Sequence, residues 1–352
     1  MSTESNVGFI GAGRHADWSH LEQLVQVGGV RIGALADLDA ERLTEIKQRY
    51  ELTGADTTQR WEDIVEHPDL DAVFVMTPDN QHTEQLLASV EHDKHAFVEK
   101  PLADSWRDYT RLASGLVIAE RKGLIVSSCH PRRFDPPFVN TKQLLDDRQL
   151  LAATFGLDPN IDLGPVTALG INLNYSRPAR TGLHTSFLSD HMPHEMDTAS
   201  HFLGISGLRR AVSTKNEELE FDIDAMREDG VRLRFKGNRL QEETGWHEDL
   251  EITFADGSTL AVDAHTGEIV LTRNNRPEHR TPTDEEGKLL FKTDYDERFL
   301  RLNTHFIRSL QRQETPYLTR REMLMNTVVS LALQDVYRFV SITADGDVAN
   351  IS

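Results

Sequence analysis

Short apolar runs alternate with amphipathic stretches through roughly the first 125 residues, the pattern of a parallel sheet covered by helices on both faces. The runs are VGFIG (7 to 11), RIGALAD (31 to 37), AVFVM (72 to 76), HAFVEK (95 to 100) and LIVSSC (124 to 129). Between them AERLTEIKQRY (40 to 50) sets Leu43, Ile46 and Tyr50 on one helical face, and HTEQLLASVEH (82 to 92) repeats the helical period. These segments predict a doubly wound α/β domain.

Beyond residue 130 the period changes. VRLRF (231 to 235) and LEITF (250 to 254) alternate apolar and polar positions, and ADGS (255 to 258) and HTGE (265 to 268) carry turn chemistry. TLAVDA and EIVLTR follow those turns at once, so the segment predicts an antiparallel sheet with one wet face. Helical periods at about 190 to 204, 296 to 312 and 320 to 338 are expected to cover the other face. The expected division is a doubly wound parallel-sheet domain over 1–127 and, over 128–352, an α+β domain with an open, mainly antiparallel sheet. A length of 352 residues suits two cores better than one.

Composition narrows the class. Hydrophobic residues make up 38% and charged residues 27%, which is the balance of a packed globular chain. The 38 Lys and Arg against 57 Asp and Glu leave a net charge of −19, a field that repels nucleic-acid backbones and anionic membranes. The single cysteine, Cys129, has no internal disulfide partner and fits a reducing compartment. The polar start MSTESN resembles no signal peptide and no apolar run approaches a membrane span, so the expectation is a cytoplasmic protein.

GFIGAGRHA places Gly11, Gly13 and Ala16 in G-x-G-x-x-A spacing directly after the first strand. Gly11 permits the tight turn, Gly13 lets a pyrophosphate approach the backbone, and Ala16 lets helix and strand pack closely. With Arg14 and His15 these residues form the expected dinucleotide loop of a Rossmann fold. Asp37 ends the next strand 21 residues beyond Ala16, where an acid meets the ribose hydroxyls and repels a 2′-phosphate. NAD is therefore expected over NADP. Asp39, two residues on, is the better cap for the helix at 40 to 50.

MTPDNQHTE (76 to 84) and FVEKPLA (97 to 103) stand at the ends of the next two strand patterns, where open α/β sheets bind ligands. A lysine there, Lys100, is placed to donate to a substrate hydroxyl and to stabilise negative charge as a hydride leaves. In order and spacing these segments resemble the Gfo/Idh/MocA oxidoreductase family, the group of glucose-fructose oxidoreductase and inositol dehydrogenase. The resemblance continues through RRFDPPF (132 to 138), DHMPHEMDTASHFLG (190 to 204) and YDERFLRLNTHFIRSL (295 to 310). It implies that Thr77, Pro78, Asn80 and His82 line the dinucleotide site, with Glu99 and Lys100 on the nicotinamide side.

Four histidines gather around DHMPHEMD: His184, His191, His194 and His201. H-x-x-H-E is neither H-E-x-x-H nor H-x-x-E-H and no second ligand cluster stands beside it, so no metal is expected. Asp190 and His194 are four residues apart, neighbours on one helix face, and can work as a carboxylate-oriented base; the plainer alternative is a helix cap and a packed histidine. The resemblance favours the base: the D-x-x-x-H-x-x-D motif falls on Asp190, His194 and Asp197, and Lys100, Asp190 and His194 look like the family's catalytic trio. Arg133 and Tyr175 are substrate-side candidates, and 148 to 163 reads as an insertion serving as a lid or an interface.

The expected activity is hydride transfer between NAD and a secondary alcohol of a sugar, cyclitol or sugar derivative. An NAD-retaining glycosidase or aldose-aldose oxidoreductase, or a catalytically silent sugar sensor, are the alternatives. The open sheet face leads to the expectation of a homodimer or homotetramer.

Overall fold

A computed structural model describes residues 4–176, 186–216, 219–239, 245–274, 276–280 and 295–350. The chain divides into two compact units, each discontinuous in sequence: Met1–Pro131 with Asp296–Thr327, and Arg132–Tyr295 with Val328–Ser352. The expected cut at 127/128 falls close to the first crossing but does not anticipate the return of 296–327 to the first unit. Two helical periods assigned by sequence to the second sheet thus begin in the other unit, because an amphipathic period shows that a face is covered and not which sheet covers it.

In the first unit the strands are β1 Ser5–Ile10, β2 Val30–Ala36, β3 Asp56–Thr58, β4 Ala72–Val75, β5 His95–Val98 and β6 Val126–Ser128. They form a parallel sheet in the order β3-β2-β1-β4-β5-β6. The order turns back between β1 and β4, the point where such sheets open a crevice at their carboxyl ends. β1 and β4 are buried at every position, as expected for strands covered on both faces. Asp39 caps the helix Ala40–Arg49, accepting from the N–H groups of Glu41 and Arg42 at 3.0 and 3.1 Å. The helix Tyr295–Leu310 closes one side: Phe306 packs edge-on to Phe74 and Phe97 with ring centres 5.4 and 5.2 Å apart.

The second unit holds β7 Val166–Ser176, β8 Leu208–Asn216, β9 Glu220–Arg227, β10 Arg232–Arg239, β11 Gly245–Phe254, β12 Thr259–Asp263, β13 Ile269–Arg273, β14 Arg276–Arg280, β15 Phe339–Ile342 and β16 Val348–Asn350. Their order is β14-β13-β12-β11-β7-β10-β9-β8-β15-β16, antiparallel except where β10 lies parallel to β7. On β10 Leu233 and Phe235 are buried while Arg232, Arg234 and Lys236 are exposed, the alternation of a half-covered sheet. The helix Phe187–Leu203 packs against β9 and β10. The last helix, Arg320–Ala332, stops six residues short of the expected 338, and the chain then enters β15.

The segment 148 to 163 contains a short helix, Arg148–Thr154, capped by Asp147. Leu151, Ala152, Phe155 and Leu163 are buried, and the Arg148 guanidinium lies 4.6 Å from the Phe254 ring centre. This packing ties the segment to the end of β11.

Candidate active site

The glycine loop separates two reasons for a glycine. Gly11 has φ +89°, and a Cβ there would sit 2.7 Å from the Met76 carbonyl oxygen, so the protein itself excludes a side chain. Gly13 has φ −65°, and a Cβ would meet nothing within 4 Å. The space beside Gly13 is open, which fits a loop that lets a pyrophosphate close on the backbone. Ala16 is buried beneath it. Asp37 Oδ2 accepts the Ala12 N–H at 2.7 Å while Oδ1 accepts that of Asp39 at 3.0 Å. Each carboxylate oxygen keeps further lone-pair capacity for a ribose hydroxyl.

Arg42 braces the loop from outside. Its Nε donates to the Ala12 carbonyl at 2.9 Å and its NH2 group to Asp17 at 2.6 Å. Asp17 also receives Arg49 and, at 2.5 Å, the Tyr50 hydroxyl. Burial pushes the Asp17 carboxyl up, but these hydrogen bonds and charges outweigh it and leave the pKa lowered.

The two later motifs meet through His82. It is buried, its Nδ1 lies 2.8 Å from the Pro101 carbonyl and its Nε2 lies 2.8 Å from that of Thr77. His82 therefore clamps the turn after β4 to the chain after β5. Thr77 Oγ1 donates to Gln85 at 2.5 Å, and Pro78 and Asn80 are exposed on a turn that continues into the helix His82–Glu91. Lys100 is half-buried two residues beyond β5, and the Lys100–Pro101 peptide is cis.

Arg14 is exposed, whereas His15 turns inward. Its Nε2 lies 2.8 Å from Glu99 Oε1, and that oxygen also faces Nε2 of the buried His20 at 3.4 Å. Burial raises the Glu99 carboxyl, but the charge and hydrogen bond of His15, followed by those of His20, hold it well below the usual carboxylate range. His20 was missed by sequence reading. Its signal was a second histidine five residues after His15, on a stretch where Asp17–Leu21 winds as a π-helix, a rare turn that concentrates at functional sites.

In the second unit, Ser186 rather than Asp190 caps the helix Phe187–Leu203, accepting from the Ser189 N–H at 3.2 Å. The cap of the plainer alternative is thus present before Pro193, on Ser186 and not on Asp190. Asp190 Oδ2 lies 3.5 Å from Nε2 of His191, a histidine that sequence reading set aside. The His191 ring is wedged between Phe187 and Tyr175, with ring centres 4.5 and 5.0 Å away. His194 is half-buried one turn beyond Asp190, and its carbonyl accepts from Thr198 at 2.9 Å. His184 lies outside the described residues.

The remaining acids of this helix are held by arginines. Arg133 forks onto the buried Asp197, with Nε 3.1 and 3.0 Å from the two oxygens and NH2 2.8 Å from Oδ1. This pairing anchors the chain before the helix Pro136–Asp146 and is the use the structure shows for Arg133. Arg132 reaches Glu195 at 2.8 Å and Glu248 at 2.9 Å, all three side chains being buried. One guanidinium thus serves two carboxylates, and burial, only partly offset by Arg132, raises the Glu195 pKa. Burial and then the charge of Arg133 push His201 down to about 4.

Residues 5–130 match the Gfo/Idh/MocA family, described as an oxidoreductase family with an NAD-binding Rossmann fold. Over these residues the chain is similar to the Gfo/Idh/MocA oxidoreductases. The myo-inositol 2-dehydrogenase of Thermotoga maritima is 29% identical over 141 residues, covering 40% of each chain. The scyllo-inositol 2-dehydrogenase (NAD(+)) of Bacillus subtilis is 23% identical over an alignment covering 96% of this chain and 95% of its own. For the first curated relatives the match spans only about two fifths of their length, 42%, 39% and 40%. In three dimensions, scyllo-inositol dehydrogenase from Lactobacillus casei with bound NAD(H) and scyllo-inositol superposes with a TM-score of 0.71 at 19% identity, covering 99% of both chains. That likeness is one of fold and spans the residues of both units. Residues 5–130 of the first unit match an NAD-binding Rossmann fold.

Proposed function

We propose that the chain is an NAD-dependent dehydrogenase that oxidises a secondary alcohol of a sugar, cyclitol or sugar derivative, or reduces the matching ketone. The observation that carries this reading is the crevice edge of the parallel sheet. There the open Gly13 loop after β1 and the Glu99-Lys100-Pro101 segment after β5 flank the turn after β4. The inositol dehydrogenases among the relatives support the substrate class. Bound NAD supplies the hydride acceptor. Lys100 donates to the reacting oxygen and stabilises its developing negative charge, His194 takes the hydroxyl proton, and Asp190 orients that imidazole. His191 joins the proposal as the second imidazole within reach of Asp190.

The test is absorbance at the NADH band across a panel of cyclitols and aldoses, with NAD and NADP compared. Turnover with NAD is expected, and Lys100→Ala and His194→Ala should each lower kcat by about 10²- to 10⁴-fold. Unchanged rates in both variants would remove the catalytic assignment. Tight NADH binding without turnover on any polyol would point instead to a sensor.

We also propose a homodimer or homotetramer built on the open face of the ten-stranded sheet. Its middle strands are charged rather than apolar, with Arg234 paired to Asp222 and Asp224 at 2.7 and 3.1 Å. A single-chain mass in light scattering would sink that proposal.

A further inference from the structure

His15 and Glu99 were expected to face the dinucleotide, yet their closest polar contacts are with each other and with His20. His15 Nε2, His20 Nε2 and Glu99 Oε1 all lie within 4.8 Å of one another. His20 is fully buried and Glu99 nearly so, while the His15 side chain, about one-third exposed, leads from the cluster to solvent.

The protons in this cluster can be placed from its rim. Asn303 Nδ2 donates to the carbonyls of Ser19 and Phe299 at 2.9 and 2.8 Å, so its amide cannot be flipped without setting oxygen against oxygen. Its Oδ1 therefore accepts, and the group 2.8 Å away is His20 Nδ1, which must carry hydrogen. The other nitrogen, Nε2, then donates when the ring is an imidazolium and offers a lone pair when it is neutral. Nε2 faces a carboxylate oxygen 3.4 Å away, both side chains being buried. The Cys129 thiol lies 4.0 Å from Nε2, at the limit of a sulfur contact. Two imidazole nitrogens thus converge on one carboxylate oxygen, an arrangement held together by a cation, either a proton on the rings or a metal ion bound in its place.

We propose that His15 Nε2, His20 Nε2 and Glu99 Oε1 form a binding site for a divalent transition-metal ion of the zinc class. Two imidazoles and one carboxylate are a donor set zinc accepts, with a fourth position left for water, whereas magnesium and calcium require mostly oxygen. The Asn303 acceptor behind His20 Nδ1 is the outer partner that a metal-bound imidazole uses to fix its tautomer. The site also has a mechanical consequence. Glu99 Oε2 accepts the Lys100 N–H at 3.1 Å, so an ion on Oε1 holds the backbone that carries Lys100. The four histidines near DHMPHEMD, where a metal was weighed from sequence, play no part in it.

Equilibrium dialysis of the full chain against zinc chloride, and absorption spectra with cobalt(II) as the probe metal, test this without reference to catalysis. Saturation at one zinc per chain is expected, together with the intense visible bands of four-coordinate cobalt. His15→Gln and His20→Gln should each weaken zinc binding by at least about 100-fold, more than the loss of an outer-shell partner costs. His247→Ala should leave it unchanged, since His247, Asp249 and Asp263 form a separate, more exposed group on the second sheet. His15→Gln keeps the test decisive if the buried His20→Gln does not fold. No saturable zinc, or zinc retained undiminished in His15→Gln, would overturn the site. Neither outcome bears on whether the chain oxidises polyols, which the NADH assay decides.

Discussion

The glycine loop of the first unit and the helix Phe187–Leu203 of the second would carry their proposed roles in opposite ways. In the loop, each proposed site residue acts on backbone: Gly11 by its left-handed φ, Gly13 by open space, Asp37 by taking the Ala12 N–H. On the helix, the side chains are held by distant partners, Asp197 by Arg133 and Glu195 by Arg132. A backbone device can be damaged without unfolding anything. A buried ionic device cannot, because removing one partner strands the other in low dielectric.

The largest expected effect lies on the helix. Asp197→Ala leaves Arg133 buried without its forked partner and should cost about 3–5 kcal/mol in urea unfolding. A loss within about 0.5 kcal/mol, as at an ordinary surface site, would show that the pair is not structural. The smaller effects divide the loop itself. Gly11→Ala forces a Cβ into a left-handed residue against the Met76 carbonyl, and a destabilisation of about 1–3 kcal/mol is expected. Gly13→Ala meets no atom of the protein, so stability should stay within about 0.5 kcal/mol of the parent. Its NAD affinity should nevertheless fall at least about tenfold, or roughly 1.4 kcal/mol, as read by NADH fluorescence titration. Unchanged affinity in Gly13→Ala would mean that the open space is not where the cofactor approaches.

How legible each part was follows from the range of the interactions that define it. The strands of the first sheet were readable because apolar runs covered on both faces need no partner to be recognised, and the G-x-G-x-x-A loop because its constraints act within a few residues. Asp39 as a cap was readable for the same reason. The cap of Phe187–Leu203 was not: Asp190 looked eligible, but the cap is Ser186, four residues earlier. The Asp190 and His194 spacing was visible, yet the approach of His191 to Asp190 needs the rotamers set by Phe187 and Tyr175.

By itself the amino-acid order determined the two sheet types, the dinucleotide loop and the family resemblance, since these depend on period and on short spacings along one strand or turn. Only the tertiary structure decided that residues 296–327 return to the first unit, that Arg133 is held by Asp197, and that His15, His20 and Glu99 converge. Each of those brings together residues far apart in sequence. His20 and Asn303 are separated by 283 positions, and no local pattern records that their side chains share a proton.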